Sequence, residues 1–185
     1  MRKPMTLVMA VVVLGSVFCG GKSGSQKPAT VEKWPAEATG MLTENDIAQL
    51  VKVLPTLDAA LKADTWRPAR PKEGDGPVAA LSGYVESMNV PGVDDSLKKA
   101  GSSWSEVRSI LYKAFAATTA LSMDGASPEM LAQIAQMRKD TSAAAKKAIK
   151  GYDAFKAAYS QIPAENKQAF AKHQQELQLL YTLGR

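Results

Sequence analysis

The sequence predicts an all-α protein: a bundle of five or six helices preceded by a signal peptide and a flexible tether. Three observations carry this. From Ser127 to Ile162, apolar residues recur along one stripe at about 100° per residue, with lysines on the opposite side. Thr43-Glu44-Asn45-Asp46 and Ser103-Trp104-Ser105-Glu106 both have capping-box spacing. Beyond the N-terminal apolar run, no period-2 alternation bounded by turns suggests a strand, and no internal repeat is visible.

Arg2 and Lys3 open the chain, and an apolar run follows from Met5 to Phe18. About 14 residues are too few to cross a ~30 Å hydrocarbon core as a helix, so residues 1–18 are expected to be a secretory signal peptide. Residues 19–42 are expected to be an anchor cysteine and a flexible tether. They are rich in Gly, Ser, Lys, Pro and Thr at first and show neither helical nor strand period. Trp34-Pro35 could dock on the domain, although a single apolar residue in a linker is also unremarkable.

The chain has a single cysteine, Cys19, so no internal disulfide forms and no multi-cysteine metal site exists. Ser16-Val17-Phe18-Cys19, followed by Gly20-Gly21-Lys22-Ser23-Gly24-Ser25, resembles the cleavage region of bacterial lipoproteins. In that family the cysteine becomes the first mature residue and carries lipid such as palmitate. The resemblance covers about the first 25 residues. The usual box has leucine three before the cysteine and a small residue just before it, where this chain has Ser16 and Phe18. The alternative is an ordinary signal-peptidase cut near Val17-Phe18-Cys19, which leaves a soluble periplasmic or secreted chain.

The helical domain is expected over 43–185. Ile47, Leu50, Val51, Leu54, Leu57 and Leu61 have helical spacing, with Pro55 placed to kink or split the helix. Residues 64–76 read as an extended connection, with Trp66 packed on the core and the neighbouring arginines in solvent. Pro77 starts a helix with Val78, Leu81, Val85 and Met88 inward, and Gly83-Tyr84 offers room for another backbone. After the turn Asn89-Val90-Pro91-Gly92, Asp94 is expected to cap a short helix closed by Gly101. The helix from Ser103 has Trp104, Val107, Ile110, Leu111, Phe115 and Leu121 as its buried set, and Asp124-Gly125 ends it.

Ser127 and Pro128 then open the long helix, whose stripe is Met130, Ile134, Met137, Thr141, Ala144, Ala148, Phe155, Tyr159 and Ile162. The short connection predicts that it lies antiparallel beside its predecessor. Gly151 is where it is expected to bend or break, and Pro163 ends it. A last helix over about 164–183 puts Phe170, His173, Leu177, Leu180 and Tyr181 on one face.

Formal net charge is +5; without Arg2 and Lys3 it is +3, from 21 basic and 18 acidic residues. That is too slight for a nucleic-acid partner, and Lys139, Lys146 and Lys150 read as a solvated face. The lone His173 is expected to be a hydrogen-bonded boundary residue, since no second histidine completes a zinc site. Gly20-Gly21-Lys22-Ser23 lacks the earlier glycine and the strand of a phosphate loop. Met123, Met130 and Met137, seven apart, read as core filling. No catalytic, cofactor or metal residues are assigned; Cys19 is the expected lipidation site.

These features imply an exported, lipid-anchored helical protein of the bacterial cell envelope, not an enzyme, with an interaction or structural role. Its expected partners are the membrane, through lipid on Cys19, and an envelope protein. It would sit on the periplasmic or outer surface. The alternative is a periplasmic carrier of an apolar ligand held between helices.

Overall fold

The computed structural model describes residues 33–72 and 75–185, and these form eight α-helices and a closing 3₁₀ turn, with no strand among them. The helices are α1 (Ala36–Thr39), α2 (Glu44–Ala63), α3 (Pro77–Glu86), α4 (Val93–Lys99), α5 (Trp104–Asp124), α6 (Pro128–Lys139), α7 (Ala143–Tyr159) and α8 (Ala164–Lys172). The 3₁₀ turn spans Gln178–Tyr181. The all-α class thus holds, with eight helices where five or six were expected.

The central element is α5. Ala114, Phe115, Ala116 and Ala117 are four consecutive buried residues, joined by Trp104, Val107, Ile110, Leu111, Tyr112 and Ala120. A helix buried through a full turn must be surrounded on all sides. α5 accordingly packs on α1, α2, α3, α4, α7 and α8. Its alanines let those neighbours approach closely. Ser103 caps it with a complete box: the Ser103 hydroxyl accepts from the Glu106 N–H, and the Glu106 carboxylate accepts from the Ser103 N–H.

α2 carries the same device. The Thr43 hydroxyl accepts from the Asp46 N–H, and Asp46 accepts from the Thr43 N–H. Pro55 lies inside α2 without splitting it; its side chain is exposed, and the helix runs on to Ala63. Ile47, Leu50, Val53, Leu54, Leu57 and Leu61 bury enough apolar surface to outweigh one lost backbone bond. The helix closes with the Thr65 N–H bonded to Lys62 O and the Trp66 N–H to Leu61 O. This closure holds Thr65 at φ 51°, a left-handed conformation that glycine usually supplies. Trp66 then buries its ring against the core, while Arg67 and Arg70 are exposed, as expected.

Some local expectations are corrected. Asp94 does not cap α4, whose cap lies two residues earlier at Gly92, with φ 83°. The Asp94 carboxylate instead accepts from the Trp104 N–H at 2.8 Å, serving the next helix. Nothing approaches Gly83 closely, so no neighbouring backbone uses that position. Leu121 is only partly buried. The last helix stops at Lys172, and the chain continues in turns and the 3₁₀ segment. Phe170, Leu177 and Leu180 are still buried, because residues three or four apart share a side in α, 3₁₀ or turn geometry alike. At the end of the chain the Gly184 N–H donates to Asp58 Oδ1 at 2.9 Å. Gly184 has φ 70°, and a Cβ there would lie 2.5 Å from Trp66 Cε3, so no side chain fits.

Two carboxylates of α2 make the bundle acid-sensitive. Burial pushes Asp46 up, but the Thr43 N–H and Lys113 outweigh it and hold the group below the ordinary 3.8. Burial likewise pushes Asp58 up, and Lys62 with the Gly184 N–H brings it below 3.8. Groups lowered by folding stabilise the native state fully above the unfolded value. They lose that contribution as pH falls through the lowered folded value. Thermal melts are therefore expected to keep a steady midpoint above about pH 5 and to fall progressively below about pH 4; no change on acidification would contradict these pairings.

Candidate interaction surface

Two features of the fold bear on function: how the N-terminal segment joins the body, and what the 128–159 region does. The tether was expected to reach residue 42. Among the described residues, however, Trp34, Ala38 and Leu42 are already buried in the packed body. The Trp34 indole N–H donates to Ala158 O at 2.8 Å, and its ring meets Tyr159 edge-on at 5.0 Å. Asn166, fully buried in the first turn of α8, grips the same strap. Its Oδ1 accepts from the Leu42 N–H at 2.7 Å, and its Nδ2 donates to Gly40 O at 2.8 Å. Arg108 of α5 adds an ion pair to Glu37 at 3.0 Å and one to Glu86 at 3.1 Å, and the Tyr112 hydroxyl donates to Glu86. Trp34, Ala38 and Leu42 stand four apart, which is the helical signal that marks this strap in the sequence. The Asn166 clamp has no such signal, since its partners are main-chain groups 124 and 126 residues away.

The stretch from Ser127 to Ile162 is two helices. Ser127 caps α6 as expected, its hydroxyl accepting from the Met130 N–H at 3.2 Å. The break falls at Asp140-Thr141-Ser142 and not at Gly151, which lies within an unbroken α7. Asp140 accepts from the Ser142 N–H at 2.8 Å, and the Ser142 hydroxyl accepts from the Ala145 N–H at 3.2 Å. Short polar side chains compete in this way for backbone groups, and here they end one helix and start the next. α6 consequently folds back on α7 instead of lying along α5.

This hairpin is an arm. Ile134 and Ala145 are buried, yet they stand apart from the main apolar cluster. Phe155, Ala158, Tyr159 and Ile162 join that cluster and root the arm. Thr141 and Ala144, placed on the inward stripe by the sequence, are exposed, and Leu131 is 51% exposed. Met123 packs against the core, whereas Met130 and Met137 are half-buried on the arm. Lys139, Lys146 and Lys150 are exposed, as expected.

His173 is the boundary residue expected of it. Nε2 stands 2.7 Å from Glu44 Oε2, and Nδ1 is 2.9 Å from Glu176 Oε1. The two carboxylates flank opposite ring nitrogens and do not converge on one point, so they cannot share a metal ion with the ring. Among the described residues no group of three or more His, Cys, Asp or Glu is placed to hold a metal. An open groove of about 480 Å³ is lined by Pro55, Thr56, Ala59, Ala60, Ala63 and Ser96 and carries no charged side chain. No described helix is long and apolar enough to cross a membrane. Cys19, the signal segment and Gly20-Gly21-Lys22-Ser23 lie outside the described residues.

Comparison with protein-family models, curated proteins and solved structures gives no match.

Proposed function

We propose that the chain is an exported, lipid-anchored helical protein of the bacterial cell envelope, with a non-catalytic interaction or structural role. The observation that carries this reading is the position of Cys19, at the end of an apolar run and before a Gly/Ser-rich stretch. The clamped strap supports it: a body rooted at Trp34 is suited to being held from its N-terminal side. The leash, residues 20–33, is fourteen residues long and spans at most about 50 Å fully extended. Lipid on Cys19 would then keep the body close to the bilayer, with two or more acyl chains needed for stable anchoring. An envelope protein is the proposed macromolecular partner, and nucleic acid is not.

Cys19→Ser tests the reading directly. The wild-type chain is expected in the membrane fraction after high-salt washing, and the variant is expected to lose its processed, lipid-bearing form. A variant that fractionates and is processed like the wild type contradicts the proposal. An apolar mass retained under native mass spectrometry would favour a periplasmic carrier instead.

A further inference from the structure

We infer that the α6–α7 arm is a cationic surface for anionic phospholipid headgroups, which presses the leashed body onto the bilayer that holds it. The inference rests on the anchored reading above.

The charge excess of the chain is local. Residues 128–159 contain six basic side chains and three acidic ones, an excess of three. The chain from Cys19 onward has the same excess of three, so the remainder is balanced. Within the arm the imbalance is sharper. Between Met130 and Lys150 there are five cations, Arg138, Lys139, Lys146, Lys147 and Lys150, and one acid, Asp140. All five cations are exposed. Arg138 pairs with Asp153; Lys139, Lys146 and Lys147 stand exposed near the hairpin end, and Lys150 is exposed further along α7. Lys146, Lys147 and Lys150 lie on one side of α7, since residues one and four apart are within about 100° of each other on a helix.

The arm also has the apolar component that separates a lipid surface from an acidic protein groove. Leu131 is the exposed large apolar residue of the arm, and Met130, Met137 and Ile149 are half-buried. Amphipathic helices that lie at a bilayer surface combine lysines with such residues. The placement is suitable as well. The leash is rooted by Trp34 on Ala158 and Tyr159, at one end of α7, and the lysines stand toward the other end. α7 is about 25 Å long at 1.5 Å per residue, within the reach of a fourteen-residue leash. An anchored chain therefore presents the arm to the headgroups at high effective concentration, where individually weak attractions suffice.

The test reconstitutes the processed chain on vesicles of phosphatidylcholine alone and on vesicles containing one-third phosphatidylglycerol. Acetylation of each lysine is then read by peptide mass spectrometry. Lys139, Lys146, Lys147 and Lys150 are expected to react several-fold more slowly on the phosphatidylglycerol vesicles only, and to recover in high salt. Lys98 and Lys99 on α4 serve as unchanged controls. Replacing Lys146, Lys147 and Lys150 with glutamine, all at exposed positions, is expected to remove salt-sensitive binding to those vesicles. The loss is on the order of a hundredfold, roughly fivefold per cation.

Equal reactivity on both vesicles, with the protein floating on both, overturns the inference and leaves the anchor standing. Failure to float on phosphatidylcholine counts against the anchor alone; salt-sensitive flotation on phosphatidylglycerol, lost in the triple variant, would still support the arm. Protection in native membranes but not on phosphatidylglycerol vesicles assigns the arm to an acidic protein and overturns the lipid assignment.

Discussion

Asn166→Ala is expected to destabilise the protein by about 2–4 kcal/mol, because it strands the Leu42 N–H and the Gly40 carbonyl where no water reaches Asn166. Each orphaned buried group costs about 1–3 kcal/mol, and relaxation of the strap recovers part of this. Asn166→Asp separates the two bonds. It keeps an acceptor for Leu42 but places a carboxylate oxygen against Gly40 O, so it is expected to destabilise too. Urea unfolding followed by tryptophan fluorescence checks both, since Trp34 sits on the same strap. Two outcomes are distinguishable. If the strap and body unfold together, the midpoint falls with an unchanged slope. If the strap releases first, proteolysis near Lys33 and Glu37 accelerates while the body persists. An unaltered midpoint with unaltered proteolysis would mean that the strap is not part of the folded unit.

Phe170→Ala is expected to be costlier still, at about 3–5 kcal/mol, a large fraction of the ~5–15 kcal/mol that holds a domain of this size together. Phe170 is fully buried on α8, the helix most extensively packed against α5. Its removal leaves a ring-sized void between two helices. Ile134→Ala is the comparator. Ile134 is buried in the arm, apart from the main cluster, so its loss is expected to loosen the hairpin and move the global melting midpoint much less. Equal shifts from the two substitutions would show that the arm and the bundle form one cooperative core.

These expectations also indicate which parts of the fold are legible in sequence. Helix starts are local, and the capping residues Thr43, Ser103 and Ser127 all do what their spacing implies. Stops and breaks are less visible. Gly151 has the poorer helix propensity, yet the helix breaks where Asp140 and Ser142 offer the backbone alternative bonds. Propensity measures a tendency, whereas side-chain capping supplies a competing structure.

The central role of α5 was hidden for a different reason. Periodicity finds helices with one apolar stripe, and α5 is buried through a full turn at 114–117, mostly by alanines that register weakly on any hydrophobic scale. The α6–α7 stretch was more prominent in the sequence because it is amphipathic, and it is amphipathic because it lies at the edge. The exposure of Lys139, Lys146 and Lys150 was legible in the sequence, whereas the strap left only the four-residue spacing of Trp34, Ala38 and Leu42. The strap depends on Asn166 reaching residues over a hundred positions away, which no local pattern encodes.

The most direct test of the anchored reading is the intact mass of the chain extracted from membranes. The expected product begins at Cys19 and is heavier than residues 19–185 by the mass of its acyl groups. A chain with an unmodified Cys19, or one that begins elsewhere, would contradict it.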